Sequence, residues 1–455
     1  MMRLSEAAIA VQGRIIGEDV LFTSVGTDSR KPVANQLFVA LRGEHFDGHA
    51  YASQSLQQGA AAAMLSCAQP DAAPALMVAD TRLGLGKLAG HWRSKFNLPL
   101  AAITGSNGKT TVKEMLACIL RADRGDDDAV LVTQGNLNND IGLPLTLLRL
   151  REHHHYAVAE MGMNHAGEIA YLSKIGRPTV ALVNNATSAH LGGFGSVDAI
   201  ARAKGEIFEG LAANGVAVIN IDDAFAPLWK MLSAPHHIMT FGLEHAADVS
   251  ADYQLNADSS QLQMKTPIGQ IDFTLPVAGL HNVRNALAAA TVALAMHMPL
   301  AAIAKGLSRF GGVAGRLQHK AGINGSRIID DTYNANPASM KAAIDVLAGQ
   351  IGEKLLVLGD MGELGPDAER LHAEIGHYAK RAGIAYLYAL GELSLATVKA
   401  FGHGAQHYET PEALASVISR RMGADAVVLV KGSRFMRMER LVSLITAENN
   451  NGGAH

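Results

Sequence analysis

Ile103-Thr104-Gly105-Ser106-Asn107-Gly108-Lys109-Thr110-Thr111 lies between an apolar run and a run of helical spacing. Glycines let a backbone turn tightly, so that successive N–H groups and the following helix N-terminus face an anion. Lys109 would neutralise β- and γ-phosphate charge, and the Thr110 or Thr111 hydroxyl would reach Mg²⁺. The common form of such a loop has glycine five positions before Gly108, where this chain has Ile103, so the loop is a short variant.

Three further groups belong to the same chemistry. Glu160 ends the strand-like run YAVAEMG, and carboxyl ends of parallel strands are where open α/β sheets bind ligands; a carboxylate there can hold Mg²⁺. His190 stands in a glycine-rich segment, residues 189–196, after the next strand-like run, TVALVNN. On the helix expected to begin at Ser196, Val197, Ile200, Ile207, Phe208 and Leu211 all fall within about 60° of Lys204 at 100° per residue. The Lys204 ammonium therefore points inward and needs a carboxylate, a phosphate or covalent neutralisation. His153-His154-His155, before a strand, reads as a solvated turn.

These groups need a framework. From about residue 98 short β-rich runs alternate with helical ones, LPLAAIT, AVLVTQ, YAVAEMG, TVALVNN and GVAVIN among them, which implies a parallel sheet covered on both faces. At 248–276 the pattern becomes polar–apolar alternation, expected as antiparallel hairpins on the sheet edge, followed by Ala-rich helices at 282–297 and 300–309. A second series, SRIIDDTY, KLLVLGDM, AYLYALG and AVVLVKG, makes a separate Rossmann-like unit. The fold class is thus α/β in three domains, with expected divisions at 1–82, 83–314 and 315–455 and a hinge near Val313-Ala314-Gly315. The 455 residues, 48% hydrophobic and 18% charged, can bury large cores, and a net charge of −3 offers no nucleic-acid footprint. No apolar run is long enough to span a bilayer and no secretory signal opens the chain, so a cytoplasmic protein is expected. Cys67 and Cys118 cannot build a disulfide framework, the tail 449–455 is expected to fray, and nothing demands more than a monomer.

Taken together, these strings resemble the Mur ligase family, ATP-dependent amino-acid and peptide ligases of peptidoglycan synthesis. Besides the 104–111 loop, the resemblance covers Gly135-Asn136-Leu137-Asn138-Asn139, Glu160-Met161-Gly162, residues 203–208, Gly279-Leu280-His281-Asn282-Val283-Arg284-Asn285, Gly315-Arg316, Leu358-Gly359-Asp360-Met361, residues 331–339 and Lys431-Gly432-Ser433-Arg434. Tyr-Asn-Ala-Asn-Pro and Lys-Gly-Ser-Arg point to the branch that adds D-alanyl-D-alanine to a UDP-linked tripeptide through an acyl phosphate. The resemblance implies that Gly105, Ser106, Asn107, Gly108, Lys109, Thr110 and Thr111 hold ATP. It implies that Thr110 and Glu160 serve one Mg²⁺, and that His190 and Lys204, if carbamylated, serve a second. Asn282 and Asn285 would approach adenine, while Arg316 and Asp331 would reach the γ-phosphate and ribose. Asp28, Ser29 and Arg30, with Phe46, Asp47, Gly48 and His49, would hold the uridine-diphosphate end, and Asn136, Asn138 and Asn139 the sugar-peptide. Tyr333, Asn334, Asn336 and Ser339, with residues 431–434, would face the dipeptide. A folylpolyglutamate synthetase shares the ATP half, and a nucleotide switch would share only the loop. The N-terminal Asp-Ser-Arg segment favours a UDP substrate over folate, and Glu160 with an inward Lys204 has no evident use in a switch.

Overall fold

Apolar runs of four or five residues between helices bury both faces only within a parallel sheet. The computed structural model, which describes residues 1–31, 33–187 and 194–447, contains that sheet. Six strands run parallel in the order His237–Phe241, Val216–Asn220, Val180–Val183, Leu100–Thr104, Tyr156–Glu160, Val130–Val132. The strand feeding the 103–111 loop is therefore interior, and Ile103 is in register with Glu160 on one side and Leu182 on the other. The chain builds outward from it on one side and then on the other. Its carboxyl end is thus the switch point at which such sheets bind ligands. Ile103 is fully buried between these neighbours, which is why the loop begins only at Thr104 and is short.

Helix Lys109–Arg124 buries Val112, Met115, Leu116, Ile119 and Leu120, the i, i+3, i+4, i+7, i+8 stripe that faces a core. Helices Leu280–Ala295 and Leu300–Ser308 pack against it. The approach is close enough that a β-carbon on Gly306 would lie 2.4 Å from the Ile119 Cα.

Residues 250–275 differ in part from expectation. They form a separate antiparallel sheet, Ser250–Leu255, Ser260–Thr266 and Gly269–Leu275, joined to the central sheet by a single bridge between Phe241 and Val249. The reason is packing: Leu262, Met264, Phe273 and Leu275 point into the core that the Lys109–Arg124 helix also fills. The helix from Ser196 is also shorter than its apolar stripe suggests. It is α-helical over Val197–Gly205 and 3₁₀ over Glu206–Gly210. There the Ile207 carbonyl accepts from Ser173 Oγ, and Gly210 lies against the Ser173 backbone.

The N-terminal sheet has the order Arg14–Ile16, Ala75–Met77, Ala62–Leu65, Gln36–Val39, Ser24–Gly26, with only the first strand antiparallel. Helix Thr81–Ser94 is capped by Asp80, whose carboxylate accepts from the N–H groups of Arg82 and Leu83. Trp92 and Arg93 donate to Leu150 O and Gly176 O at 3.1 Å each. One apolar core runs from Leu4 through Trp92 to Trp229, so this helix is shared by the N-terminal and central sheets.

The C-terminal sheet has the order Gln318–Ala321, Arg327–Asp331, Ala426–Lys431, Glu353–Leu358, Tyr386–Leu390, Ala405–Tyr408, and only its first strand is antiparallel. The chain enters it through a turn at Gly315, whose φ of +67° suits glycine and whose carbonyl accepts from Tyr333 N–H at 3.0 Å. No helix among the described residues is long and apolar enough to cross a membrane. The expected fraying tail, 449–455, lies outside the described residues.

Candidate active site

The site is built where the interior strands end. A cavity of about 1400 Å³ opens there between the central and C-terminal sheets. Its floor is the 105–111 loop. Gly108, at φ +79°, could not carry a side chain: a β-carbon would lie 2.3 Å from Asn285 Oδ1 and 2.7 Å from Asn184 Nδ2. Lys109 curls back over the loop, its Nζ donating to Gly105 O at 2.6 Å, and burial pulls its pKa down against the opposing charge of Glu160.

Thr110 Oγ1 donates to Glu160 Oε2 at 3.0 Å, while Asn138 Nδ2 donates to Glu160 Oε1 at 2.8 Å. Both carboxylate oxygens of a 2%-exposed glutamate are thereby aimed, one at the helix N-terminus and one at the 135–139 loop. Asn139 Oδ1 accepts from the N–H groups of Ile141 and Gly142, so it braces its own loop as well as lining the cavity. Asn136 lines the cavity beside it.

The wall toward Val180–Val183 carries groups that sequence reading passed over. Asn184 Nδ2 donates to Asn107 O at 3.0 Å and to Asn285 Oδ1 at 3.2 Å, and Asn185 Oδ1 accepts from Asn107 N–H at 2.8 Å. The sequence shows only that both end the strand-like run TVALVNN; the pairing of that strand with the loop strand, which gives them their role, is set by the fold. Asn282 is buried and donates to Ala278 O at 2.7 Å. His281, beside it, is held down to about 4 by burial and by the nearby charges of Lys431 and Arg284, so it is a neutral imidazole.

Lys204 is 2% exposed, and its side chain lines the cavity with no hydrogen-bond or ion-pair partner among the described residues. Burial, reinforced by the Lys109 charge, lowers its pKa well below that of an ordinary lysine. The inward orientation inferred from helical spacing is what the structure has. His190 lies outside the described residues.

The C-terminal unit closes the cavity. Arg316 Nη2 donates to Thr110 Oγ1 at 3.1 Å while its guanidinium stacks 4.3 Å from the Tyr333 ring. Asn336 caps helix Pro337–Ala348 with Ser339 in a reciprocal capping box, and its Nδ2 reaches Asn107 Oδ1 at 2.7 Å. Asp331 is paired with Lys431 at 2.6 Å, and Lys431 also donates to Asn334 O at 2.8 Å. Gln350 Nε2 donates to Ala257 O at 2.6 Å. Together with the Arg316 and Asn336 contacts, this hydrogen bond between units, at about 1 kcal/mol each, forms a latch of modest strength.

The N-terminal segments lie elsewhere. The 27–30 and 46–49 loops follow neighbouring parallel strands at one end of their own sheet, apart from the cavity lining. Arg30 holds Asp28 down to about 2 through side-chain hydrogen bonds. Phe46 is 60% exposed, Ser29 half-buried. His49 is buried: its Nε2 accepts from Ser66 N–H at 3.0 Å, which puts the proton on Nδ1, 2.6 Å from Asp47 Oδ1. With both ring nitrogens engaged it braces the turn, whereas Asp47 stays exposed, held to about 2 by the His49 backbone N–H and side chain and by Arg42.

One contact ties this unit to the cavity. Arg82, on the shared helix, grips Asp140 with both Nε and Nη2, directly after the Asn138-Asn139 pair. Replacing Arg82 by Met is expected to raise KM for the large substrate roughly three- to tenfold, the loss of about 1 kcal/mol from a partly exposed pair. KM for ATP should stay unchanged, with initial rates at varied substrate as the measurement. Equal effects on both constants would show general loosening instead.

Comparison with known proteins places the chain in a family. Residues 21–90 match the Mur ligase family catalytic domain, 103–293 the Mur ligase middle domain and 315–434 the Mur ligase glutamate ligase domain. The chain is 42% identical over 451 residues to UDP-N-acetylmuramoyl-tripeptide–D-alanyl-D-alanine ligase of Haemophilus influenzae, covering 97% of this chain and 98% of that one. A crystal structure of MurF from Acinetobacter baumannii superposes with a TM-score of 0.91 at 38% identity, covering 97% of this chain and 98% of that one. MurF from Thermotoga maritima, solved in complex with ADP, does so at 0.83 and 28%, covering 94% and 98%. With family matches between residues 21 and 434, the chain belongs to the Mur ligase family.

Proposed function

We propose that the chain joins D-alanyl-D-alanine to UDP-N-acetylmuramoyl-tripeptide at the expense of ATP, giving the UDP-linked pentapeptide of peptidoglycan synthesis, ADP and phosphate. The observation that carries the reading is the shared cavity, with a phosphate loop and a Thr110–Glu160 pair on its floor and a separate domain as its roof. In this reading the units are 1–82 for the UDP end, 83–314 for ATP and 315–455 for the dipeptide. The enzyme works in the cytoplasm as a monomer.

The residues present suit a triphosphate with magnesium. Gly108 leaves a cradle that a β-carbon would fill. The Thr110 hydroxyl and a single Glu160 carboxylate match Mg²⁺, which takes one or two carboxylates and completes its shell with phosphate and water. Magnesium, when bound, disperses charge on the phosphoryl oxygens. An amine cannot join such a shell as a cation; as a carbamate, Lys204 would present an anion from a position where it has no partner among the described residues. His190 would complete the set.

The chemistry follows from how poor an electrophile a carboxylate is. The tripeptide's terminal carboxylate attacks the γ-phosphorus of ATP; the new C–O–P bond forms as the bond to ADP breaks. The dipeptide amine then attacks the acyl carbon, an amide forms, phosphate leaves and the amine gives up a proton. Lys109 and Arg316 flank the transferring group from opposite units and stabilise charge that spreads over its oxygens. Asn138, bonded to Glu160, holds the acceptor loop against the same centre, which keeps the reacting atoms together. Asn282 and Asn285 lie on the wall assigned to adenine, and Asp331 on the side assigned to ribose. The roof excludes water that would hydrolyse the acyl phosphate.

Phosphate release should require ATP, the UDP-linked tripeptide and D-alanyl-D-alanine together. Tripeptides ending in lysine and in diaminopimelate are to be compared, and L-glutamate replaces the dipeptide in a parallel arm. Turnover with L-glutamate and a folate, or nucleotide binding with no ADP in any mixture, would refute the assignment.

A further inference from the structure

The incoming dipeptide carries a carboxylate that must be held away from the phosphates, so that its amine alone reaches the acyl carbon. The cationic side chains on the C-terminal wall of the cavity are mostly committed. Lys431 is paired with Asp331 at 2.6 Å, Arg434 with Glu439 at 2.9 Å, and Arg316 lies 3.1 Å from Thr110 at the nucleotide end. Arg437 differs: it lines the same cavity, its side chain is exposed, and it has no hydrogen-bond or ion-pair partner among the described residues.

Its backbone is also unusual. Arg437 sits at φ 49°, ψ 47°, left-handed, closing the turn Arg434–Met436. Its N–H donates to Arg434 O at 3.2 Å and its carbonyl accepts from Arg440 N–H at 3.0 Å. A non-glycine residue there costs roughly 1–2 kcal/mol, and the two hydrogen bonds fix the backbone from which the side chain projects at the cavity edge. Phe435, 63% exposed, covers Gly362 next to it and supplies apolar surface of the kind a methyl side chain meets.

We propose that Arg437 receives the terminal carboxylate of the incoming D-alanyl-D-alanine and so sets its direction in the cavity. This rests on the ligase reading. A planar guanidinium can take a carboxylate through two parallel hydrogen bonds, and the phosphate end already has Lys109 and Arg316.

Initial rates with D-alanyl-D-alanine and with its C-terminal amide, on the full chain and on Arg437→Gln and Arg437→Lys, test this. Arg437→Gln should raise KM for the acid about 10- to 100-fold, the effect of one charged hydrogen-bonding partner, and abolish the preference for acid over amide. KM for ATP and for the tripeptide should not move, and Arg437→Lys should recover part of the preference. An active wild-type enzyme whose acid-over-amide preference survives Arg437→Gln overturns the assignment alone. A wild-type enzyme inert toward the dipeptide overturns the ligase reading and this assignment together.

Discussion

Lys109→Met should lower kcat for ADP release by about 10²- to 10³-fold while leaving thermal stability nearly unchanged. Removing one preorganised donor from a developing anion costs about 3–4 kcal/mol in a water-excluded site. Lys109 meets that description: its Nζ hangs over the loop, 2.6 Å from Gly105 O and 3.5 Å from Ser106 O, where phosphate oxygens would take over those contacts. Methionine keeps the apolar stem, so packing persists. Because burial already disfavours the ammonium, the folded protein loses little by giving it up. Arginine is not expected to rescue, since its planar fork cannot mimic a compact point charge in so tight a turn. Substrate-dependent ADP release, with a melting curve as the control, decides the matter. Retained turnover would remove the loop from the chemistry.

The second large effect is expected at Lys204. Lys204→Met should cut kcat roughly a hundredfold or more, the scale of a lost charge-stabilising group, without lowering the melting temperature. A buried amine with no partner among the described residues contributes little to stability, and replacing a buried charge by an apolar side chain of similar size is often neutral or stabilising. The sign of the pKa shift matters here. Burial and the Lys109 charge lower the Lys204 pKa, so more of the amine is neutral at any given pH than in an exposed lysine. Only a neutral amine reacts with carbon dioxide, and forming the carbamate releases a proton. Incubation in acid without carbon dioxide should therefore inactivate the enzyme reversibly, and bicarbonate at higher pH should restore it. Lys204→Ala should regain part of its activity with short carboxylic acids, which can place an anion in the vacated space. An activity indifferent to bicarbonate and to added acids would leave Lys204 unmodified.

Much of this was legible in the residues. Short apolar runs alternating with helical ones leave few options, because their backbone and both their faces must be buried together; that dictated the parallel sheets and the strand ends where Glu160 and the phosphate loop lie. The burial of Lys204 followed from helical geometry alone. Other features depended on which distant strands became neighbours. Asn184 and Asn185 are anonymous polar residues until their strand lies beside Leu100–Thr104, when they become the frame of the loop. The His49 tautomer exists only because Ser66 N–H approaches it from the end of another strand. Arg82 finds Asp140, and Arg437 is left facing the cavity with no carboxylate partner among the described residues, through packing of units far apart in sequence. Local patterns record which groups must be buried, whereas partners for long polar side chains are chosen by small differences in distance between elements, and those emerge only once the sheets have packed.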